Sequence, residues 1–127
     1  HVLEHAPDAY RFLEKAHAVL EPAGWLAIEV PNVESARARR EGSSWFGHQP
    51  SYHVYEFSPR TLAEVVGEAG FALVDCDTIF PRHYFRRGRM VSPPGLANLF
   101  QDWRAARTLR TVHAYLGDHI RLLAHRP

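Results

Sequence analysis

An amphipathic helix followed at once by a buried strand is the feature that most limits how this chain can fold. Asp8 can cap the helix, and apolar side chains then recur at helical spacing as far as Leu20. Residues 21–24 contain a proline that cannot continue a helix and a glycine that permits a turn. Residues 25–30 are mostly apolar and closed by a proline, as is typical of a buried strand. The pattern predicts a helix over 8–20 and half of a βαβ unit.

The same order returns further along the chain. Ser58 and Pro59 are typical of a helix start, and Gly70 lies where a helix-ending glycine is expected. Residues 71–80 then alternate between apolar and polar, which predicts a strand. The side chains predicted to face the core are Ala72, Val74, Cys76 and Phe80, and those predicted to face solvent are Asp75 and Asp77. Helix, strand, loop, helix and strand in this order predict an α/β fold.

The stretch between these two pairs differs in composition from the rest of the chain. Residues 33–41 are polar and rich in arginine, which predicts a short exposed helix. Residues 42–55 show no periodicity and are rich in glycine, serine, histidine and aromatic residues. This is the composition of a loop, and loops often carry functional side chains.

The last third of the chain is predicted to be mainly helical. A strand is expected around residues 83–85, and a Pro-Pro-Gly break follows at residues 93–95. Apolar residues from Leu96 to Leu123 then recur at helical spacing, which predicts one long helix or two. The chain is therefore expected to divide into a domain over residues 1–92 and a helical segment over residues 93–127 that packs on it.

Composition restricts the classes of protein that fit. With 127 residues, 46% hydrophobic and 23% charged, the chain has the size and composition of one small globular domain. It has one cysteine, Cys76, so no disulfide can form within it, and a reducing cytoplasmic location is expected. It contains no apolar run near the ~20 residues that a membrane helix needs. Because it begins with His1 and its one methionine is Met90, we expect it to be part of a longer chain.

Charge is distributed unevenly along the sequence. Residues 1–81 contain six Lys/Arg against twelve Asp/Glu, whereas residues 82–127 contain nine Arg against two Asp. A basic tail can bind nucleic acid or an acidic membrane surface. Here the arginines are interleaved with large apolar residues, which favours docking of this tail on the acidic first part. We therefore predict neither a nucleic-acid nor a membrane partner.

Four short segments, in order and at matching spacing, resemble one known family. Residues 1–5 read H-V-L-E-H, residues 20–26 read L-E-P-A-G-W-L, and V-P-N follows the first strand. Residues 53–62 read H-V-Y-E-F-S-P-R-T-L, with A-G-F at residues 69–71. These are similar to the "VLEH" segment, the "L-x-P-G-G-x-L" turn, the strand end after it and the "H-x-x-x-F-S-P-x-x-L … A-G-F" segment of class I S-adenosylmethionine-dependent methyltransferases. Ala23 stands in place of the first glycine of the turn. The resemblance covers about residues 1–80.

This resemblance implies the C-terminal part of a Rossmann-like methyltransferase sheet with flanking helices, which binds S-adenosyl-L-methionine at the carboxyl ends of its strands. The family's glycine-rich loop and ribose-binding acidic residue precede the matched segments, and this sequence has no G-x-G. By resemblance, His1, Val2 and Leu3 line the cofactor and His5 lies near the mouth of the pocket. The missing N-terminal half of the same protein is the implied partner, and the isolated chain is expected to be inactive.

The loop over residues 42–55 supplies the candidate catalytic and substrate residues. Methyl transfer to a hydroxyl or amine depends on alignment and benefits from a base that takes the acceptor's proton. Histidine suits that role because its ordinary pKa is close to neutrality. In the family this loop lies over the acceptor, so His53 and His48 are predicted as general bases. Both could instead be structural residues that hold the loop by hydrogen bonds. Residues predicted to shape the acceptor pocket are Asn32, Trp45, Tyr52 and Tyr55.

Two alternatives compete with the enzyme prediction. H-x-x-E-H at residues 1–5 is also the pattern of inverted zinc peptidases, which need both histidines on one helical face. Because the motif precedes the predicted helix, we expect it at a strand end and predict no metal site. The other alternative is a non-catalytic remnant, or a partner-binding module, of methyltransferase fold.

Overall fold

The computed structural model of the chain describes residues 1–79 and 116–127. Within them the helices are α1 (Ala9–Val19), α2 (Ala36–Glu41) and α3 (Pro59–Glu68), and the strands are β1 (Trp25–Pro31), β2 (Ala72–Ile79) and β3 (His119–His125). Short 3-10 turns cover Leu3–His5 and Gly42–Ser44. No helix in this described part has the length and apolar character that crossing a membrane requires.

The three strands form one sheet in the order β1-β3-β2. β3 is antiparallel to both neighbours, so β1 and β2 run in the same direction with β3 between them. Helix α3 packs against β2, and α1 contacts α3. The predicted α/β fold is confirmed, as are the two predicted helix–strand pairs.

The helical prediction for the end of the chain is wrong over residues 119–125, which form β3. Ile120, Leu122 and Ala124 are buried and Arg121 is exposed, so the side chains alternate as in a strand. Ile120 and Leu123 are also three residues apart, and this spacing fitted a helix equally well. The predicted strand near 83–85, the helix before residue 116 and the boundary at residue 92 lie outside the described residues, so the two-unit division stays a prediction.

Capping fixes where the two longer helices begin. The Asp8 carboxylate accepts a hydrogen bond from the backbone N–H of Arg11 at 2.9 Å. At the start of α3, Ser58 Oγ accepts from the N–H of Thr61 at 3.2 Å, and Thr61 Oγ1 accepts from the N–H of Ser58 at 2.9 Å. This reciprocal capping box orients α3 so that its apolar side meets the sheet.

One apolar cluster joins the helices to the sheet. Leu62 and Val66 of α3 are fully buried against Ile120 and Leu122 of the central strand and Leu13 of α1. Burying an aliphatic side chain of this size contributes roughly 1.5–3 kcal/mol, so these contacts hold α1 and α3 against the sheet. The buried apolar members of this cluster are Leu3, Ala9, Leu13, Val30, Phe57, Leu62, Val66, Ala69, Phe71, Ile120, Leu122 and Ala124.

A β-bulge changes which side chains of β2 face the core. Leu73 pairs with Ala124 and Asp75 with Leu123, so Val74 is an extra residue in the ladder. Val74 is 50% exposed, and its predicted place in the core is therefore wrong. Cys76 is half-buried against the core, as predicted, whereas Phe80 lies outside the described residues.

Two turns require a left-handed backbone. Gly70, after α3, has φ +92°, which glycine adopts at no steric cost. Ala23 has φ +63° in the turn that leads into β1. A side chain at this φ is strained by about 1–2 kcal/mol, which explains why the family has a glycine in this turn. The alanine of this chain therefore destabilises the folded state locally.

Candidate functional site

The chain's first turn and the loop after α2 are held together by hydrogen bonds. The backbone oxygen of Glu4 accepts from the N–H groups of Val54 at 2.8 Å and Tyr55 at 3.2 Å. His5 Nδ1 donates to the backbone oxygen of Tyr52 at 2.8 Å. Leu3–His5 of the H-V-L-E-H segment form a 3-10 turn, and the predicted strand end before this turn stays a prediction. The turn is closed by its own backbone hydrogen bonds, from His5 N–H to Val2 O and from Ala6 N–H to Leu3 O, and the loop supplies donors for the oxygen of Glu4.

His5 and His53 meet at this junction. Their rings form an edge-to-face pair with centroids 4.8 Å apart. His53 Nδ1 donates to the backbone oxygen of Gly47 at 2.8 Å, which fixes the orientation of a half-buried ring. The hydrogen bond that the structural interpretation of His53 requires is thus present, and the catalytic role of His53 stays a prediction.

Glu4 is the residue at this junction that sequence reasoning missed. The residue as a whole is 1% exposed. Oε1 lies 3.1 Å from His1 Nδ1 and 3.9 Å from His5 Nε2. Oε2 has no hydrogen-bond partner within residues 1–79 and 116–127. Glutamate is usually a surface residue, so nothing in its local sequence indicates that it is buried beside three imidazoles.

His48 belongs to a separate pair in the same loop. Its Nδ1 lies 2.5 Å from Glu56 Oε1, and about two-fifths of each side chain is exposed. A carboxylate that holds one nitrogen of a histidine fixes the ring and leaves the other nitrogen to act on a ligand. This arrangement is suited to proton transfer.

A second charged cluster joins the first residue to the edge of the sheet. Glu29 of β1 lies 2.8 Å from Arg121, 3.1 Å from His119 and 3.5 Å from His1. Burial raises the pKa of Glu29, but hydrogen bonds from Arg121 and His119 outweigh it and leave that pKa below its ordinary value of 4.5. The sequence could not indicate this cluster, because the segment that contains His119 was predicted to be helical.

The residues predicted to line the acceptor pocket have different environments. Tyr52 is 71% exposed. Tyr55 is half-buried and stacks on Phe57, and its hydroxyl donates a hydrogen bond to the backbone oxygen of Pro7 at 3.4 Å. Trp45 is buried. Asn32 is fully buried at the end of β1, where Nδ2 donates to the oxygen of Gly117 at 2.8 Å. The structure brings Tyr52 and Tyr55 to the junction of His5 and His53, whereas Asn32 connects β1 to the residues before β3.

Three of the four residues predicted to touch the cofactor are accessible. His1, Val2 and His5 are exposed, whereas the Leu3 side chain is 4% exposed and packs in the core. An open depression of about 430 Å³ adjoins Val2 and His5 and is within the size range of small-molecule sites. Its lining residues are Val2, His5, Ala6, Pro7, Asp8, Arg11, Phe12 and Lys15.

Comparison with protein families decides the assignment. A family model described as a methyltransferase domain matches residues 1–75, more than half of the chain. The chain belongs to this methyltransferase family. The predicted resemblance is confirmed, and the matched residues include α1, β1, the histidine-containing loop and α3. A sequence comparison with the curated proteins finds no match.

Solved structures agree on the fold. A methyltransferase from Thermotoga maritima, described as S-adenosylmethionine-dependent and as a possible histamine N-methyltransferase, superposes with a TM-score of 0.61 at 16% identity over 98% of this chain and 52% of its own. An S-adenosylmethionine-dependent methyltransferase from Archaeoglobus fulgidus gives 0.60 at 16% identity, over 99% and 56%. A Haloferax volcanii complex of the Trm112 activator with a putative methyltransferase gives 0.59 at 17% identity, over 99% and 51%. The chain thus spans about half the length of the structures it matches.

Proposed function

We propose that the protein containing this chain transfers a methyl group from S-adenosyl-L-methionine to a small-molecule acceptor. Membership of the methyltransferase family supports the reaction class. The observation that carries the proposal is the docking of a loop with two imidazoles, His48 and His53, onto the H-V-L-E-H turn. That docking joins the segment expected to touch the cofactor with the loop expected to cover the acceptor.

On the cofactor side, we assign contacts to His1, Val2 and His5 through their side chains and to Leu3 through its backbone. Bound S-adenosyl-L-methionine would supply an electrophilic methyl group on a sulfonium. The exposed faces of Val2 and His5 border the apolar depression, so they can exclude water from one side of the ligand. Since the matched structures are about twice as long, most cofactor contacts belong to residues outside this chain.

On the acceptor side, we assign the general base to His48, with Glu56 as a positioning residue. The Glu56 carboxylate at 2.5 Å fixes the Nδ1 side of the ring, so Nε2 would take the proton from a hydroxyl or an amine. His53 is the other predicted base, but its Nδ1 donates to a backbone oxygen, not to a carboxylate, and its ring is packed on His5. Pocket residues in the proposal are Asn32, Trp45, Tyr52 and Tyr55.

Partners and location follow from the same proposal. The N-terminal half of the same protein would complete the cofactor site, and the 127 residues alone would bind S-adenosyl-L-methionine weakly and lack activity. The single cysteine and the interleaved arginines support a cytoplasmic enzyme with a small-molecule acceptor and without a nucleic-acid or membrane partner.

The test is formation of S-adenosylhomocysteine by the full natural protein with a panel of small hydroxyl and amine compounds. We expect turnover with at least one acceptor, and His48→Ala should lower kcat by roughly 10²–10⁴-fold, the usual contribution of a general base. Glu56→Gln should shift the pH profile of kcat, which a merely structural contact would not do. His125→Ala, outside the loop, is the control and should leave kcat unchanged.

Two results would count against this proposal. Cofactor binding without turnover on any acceptor would favour the non-catalytic alternative. Full activity of His48→Ala would show that His48 is not the general base.

A further inference from the structure

Beyond methyl transfer, we propose that Glu4, His5 and His53 form a binding site for a divalent transition metal. One ligand atom from each of the three side chains lies within 4.8 Å of the other two. The residues come from two segments that are 48 positions apart and meet because the loop docks on the first turn. The proposed methyl transfer uses this docking, but it does not require Glu4, His5 and His53 to bind one common atom.

The orientation of both histidines suits metal binding. His5 Nδ1 donates to the backbone oxygen of Tyr52 at 2.8 Å, and His53 Nδ1 donates to that of Gly47 at 2.8 Å. In each neutral ring the proton is therefore on Nδ1, and the lone pair is on Nε2. Metal-binding histidines are typically held in this way, with one ring nitrogen donating to a carbonyl or carboxylate so that the other is fixed towards the metal.

Glu4 supplies the independent evidence for a ligand. A carboxylate that is 1% exposed loses its hydration, and this is costly unless the charge is compensated. Oε1 is shared by His1 and His5, yet Oε2 has no hydrogen-bond partner anywhere in the described residues. A cation between Glu4 and the two imidazoles would compensate the buried negative charge, with one carboxylate oxygen as its ligand.

The ligand atoms, which lie within 4.8 Å of one another, must approach each other by up to about 1.5 Å to bind a metal. Zinc–nitrogen and zinc–oxygen bonds of about 2.0–2.2 Å place two ligand atoms of a tetrahedral site roughly 3.3 Å apart. His5 Nε2 and Glu4 Oε1 are already 3.9 Å apart. Half-exposed imidazoles can make up the difference by small rotations about their side-chain bonds.

The ligand types indicate which metal would bind. Two imidazoles and one carboxylate suit zinc and other first-row transition metals, whereas magnesium prefers oxygen ligands alone. Three protein ligands would leave an open coordination position, as in catalytic zinc sites. Because His5 is exposed, that position could take water or an oxygen atom of a bound small molecule.

The experiment is a zinc titration of the full natural protein after removal of metal with a chelator, monitored by competition with a chromophoric chelator. We expect His5→Ala and His53→Ala each to lose one equivalent of zinc relative to the wild-type protein. Removal of a ligand should weaken binding by more than about 100-fold, since loss of an outer hydrogen-bond partner alone costs 10–100-fold. His125→Ala is the matched control and should retain that equivalent, and a magnesium titration should show no binding at this site.

Glu4→Gln keeps the size of the side chain and should also lose the equivalent of zinc, with circular dichroism to confirm folding. If this variant does not fold, His53→Ala decides the question, because His53 lies on a surface loop. Equal zinc stoichiometry in the wild-type, His5→Ala and His53→Ala proteins would overturn the proposal. So would the absence of zinc binding in the wild type, in which case the cluster would be only a network of hydrogen bonds. Neither result depends on methyl transfer.

Discussion

Different forces hold two regions of the molecule. One is the packed side of the sheet, and the other is the histidine loop, which we define as residues 47–56 docked on residues 1–5. At the sheet, fully buried aliphatic side chains such as Leu62 and Val66 of α3 meet β2 and β3. At the loop, hydrogen bonds from His5, Val54 and Tyr55 to backbone oxygens hold the two segments together, and His53 donates to Gly47 within the loop. The apolar core lies at the packed side of the sheet, and the buried carboxylate of Glu4 lies at the histidine loop.

This difference separates stability from function. Burial of apolar surface is the main stabilising contribution to folding, so the packed side should carry most of the free energy of unfolding. A buried charge with an unpartnered oxygen stabilises nothing by itself, and such departures from local rules are expected at functional sites. We therefore expect substitutions at the sheet to change stability and those in the histidine loop to change binding.

The largest effect is expected from Leu62→Ala. The side chain is fully buried, and removal of a buried leucine side chain lowers the free energy of unfolding by about 2–5 kcal/mol. Urea denaturation of the natural protein measures this. Leu73→Ala is the control, since Leu73 is 47% exposed and its substitution should cost less than about 1 kcal/mol.

His53→Ala removes one loop hydrogen bond and should cost roughly 1 kcal/mol. Equal losses for Leu62→Ala and His53→Ala would erase the distinction between the two regions.

Gly70→Ala tests the turn that connects α3 to β2. An added methyl group at φ +92° is strained, and it would lie 3.3 Å from His17 Nε2. We expect a loss of about 1–2 kcal/mol by thermal or urea denaturation. Gly67→Ala is the matched control within α3, where an added Cβ has open space, and it should stabilise the protein by up to about 1 kcal/mol. A stabilising Gly70→Ala would show that the turn is not fixed by the sheet.

Ala23→Gly should stabilise the protein. The alanine adopts φ +63°, so glycine removes strain and the folded state gains roughly 1 kcal/mol. Ala18→Gly, on an exposed helical position of α1, should instead lose about 0.5–1 kcal/mol. Opposite signs in thermal denaturation would confirm the left-handed turn, whereas a loss at both positions would contradict it.

The smallest effect concerns Glu29 and pH. Since its pKa is lowered in the folded protein, ionised Glu29 contributes stability above the ordinary pKa of 4.5, and this contribution is lost as pH falls through the lower folded value. Arg121→Gln removes its strongest hydrogen-bond partner. Glu29 is one-third exposed, so we expect a loss of only a few tenths of a kcal/mol at neutral pH after screening by solvent. The loss should vanish in acid, where both proteins carry protonated Glu29. A difference that grows towards low pH would contradict this assignment.

Local signals in the sequence predicted the helix starts but not the features of the sheet that depend on strand pairing. Asp8 and Ser58 cap their helices as predicted, because a cap acts within one turn of the chain. β3 was missed because a short apolar run can match helical and strand periods together. The bulge that exposes Val74 depends on pairing with β3, so no local pattern indicates it.

The histidine loop shows the same limit in the candidate site. Its composition indicated a functional loop, and His48 and His53 were named from it. The meeting of His53 with His5 and Glu4 depends on docking across 48 residues, which no periodicity encodes. Burial of Glu4 depends on that docking too. Sequence reasoning therefore found the segments of the candidate site and missed how they combine.

Calorimetric titration of the full natural protein with S-adenosyl-L-methionine tests most directly whether the chain is part of a working methyltransferase. We expect saturable binding with a Kd between about 1 µM and 1 mM, the usual range of enzyme–substrate affinity. His125→Ala should bind as the wild type does, and His5→Ala, beside the depression, should bind more weakly. The absence of saturable heat up to about 1 mM ligand, with the protein folded, would contradict the proposed function.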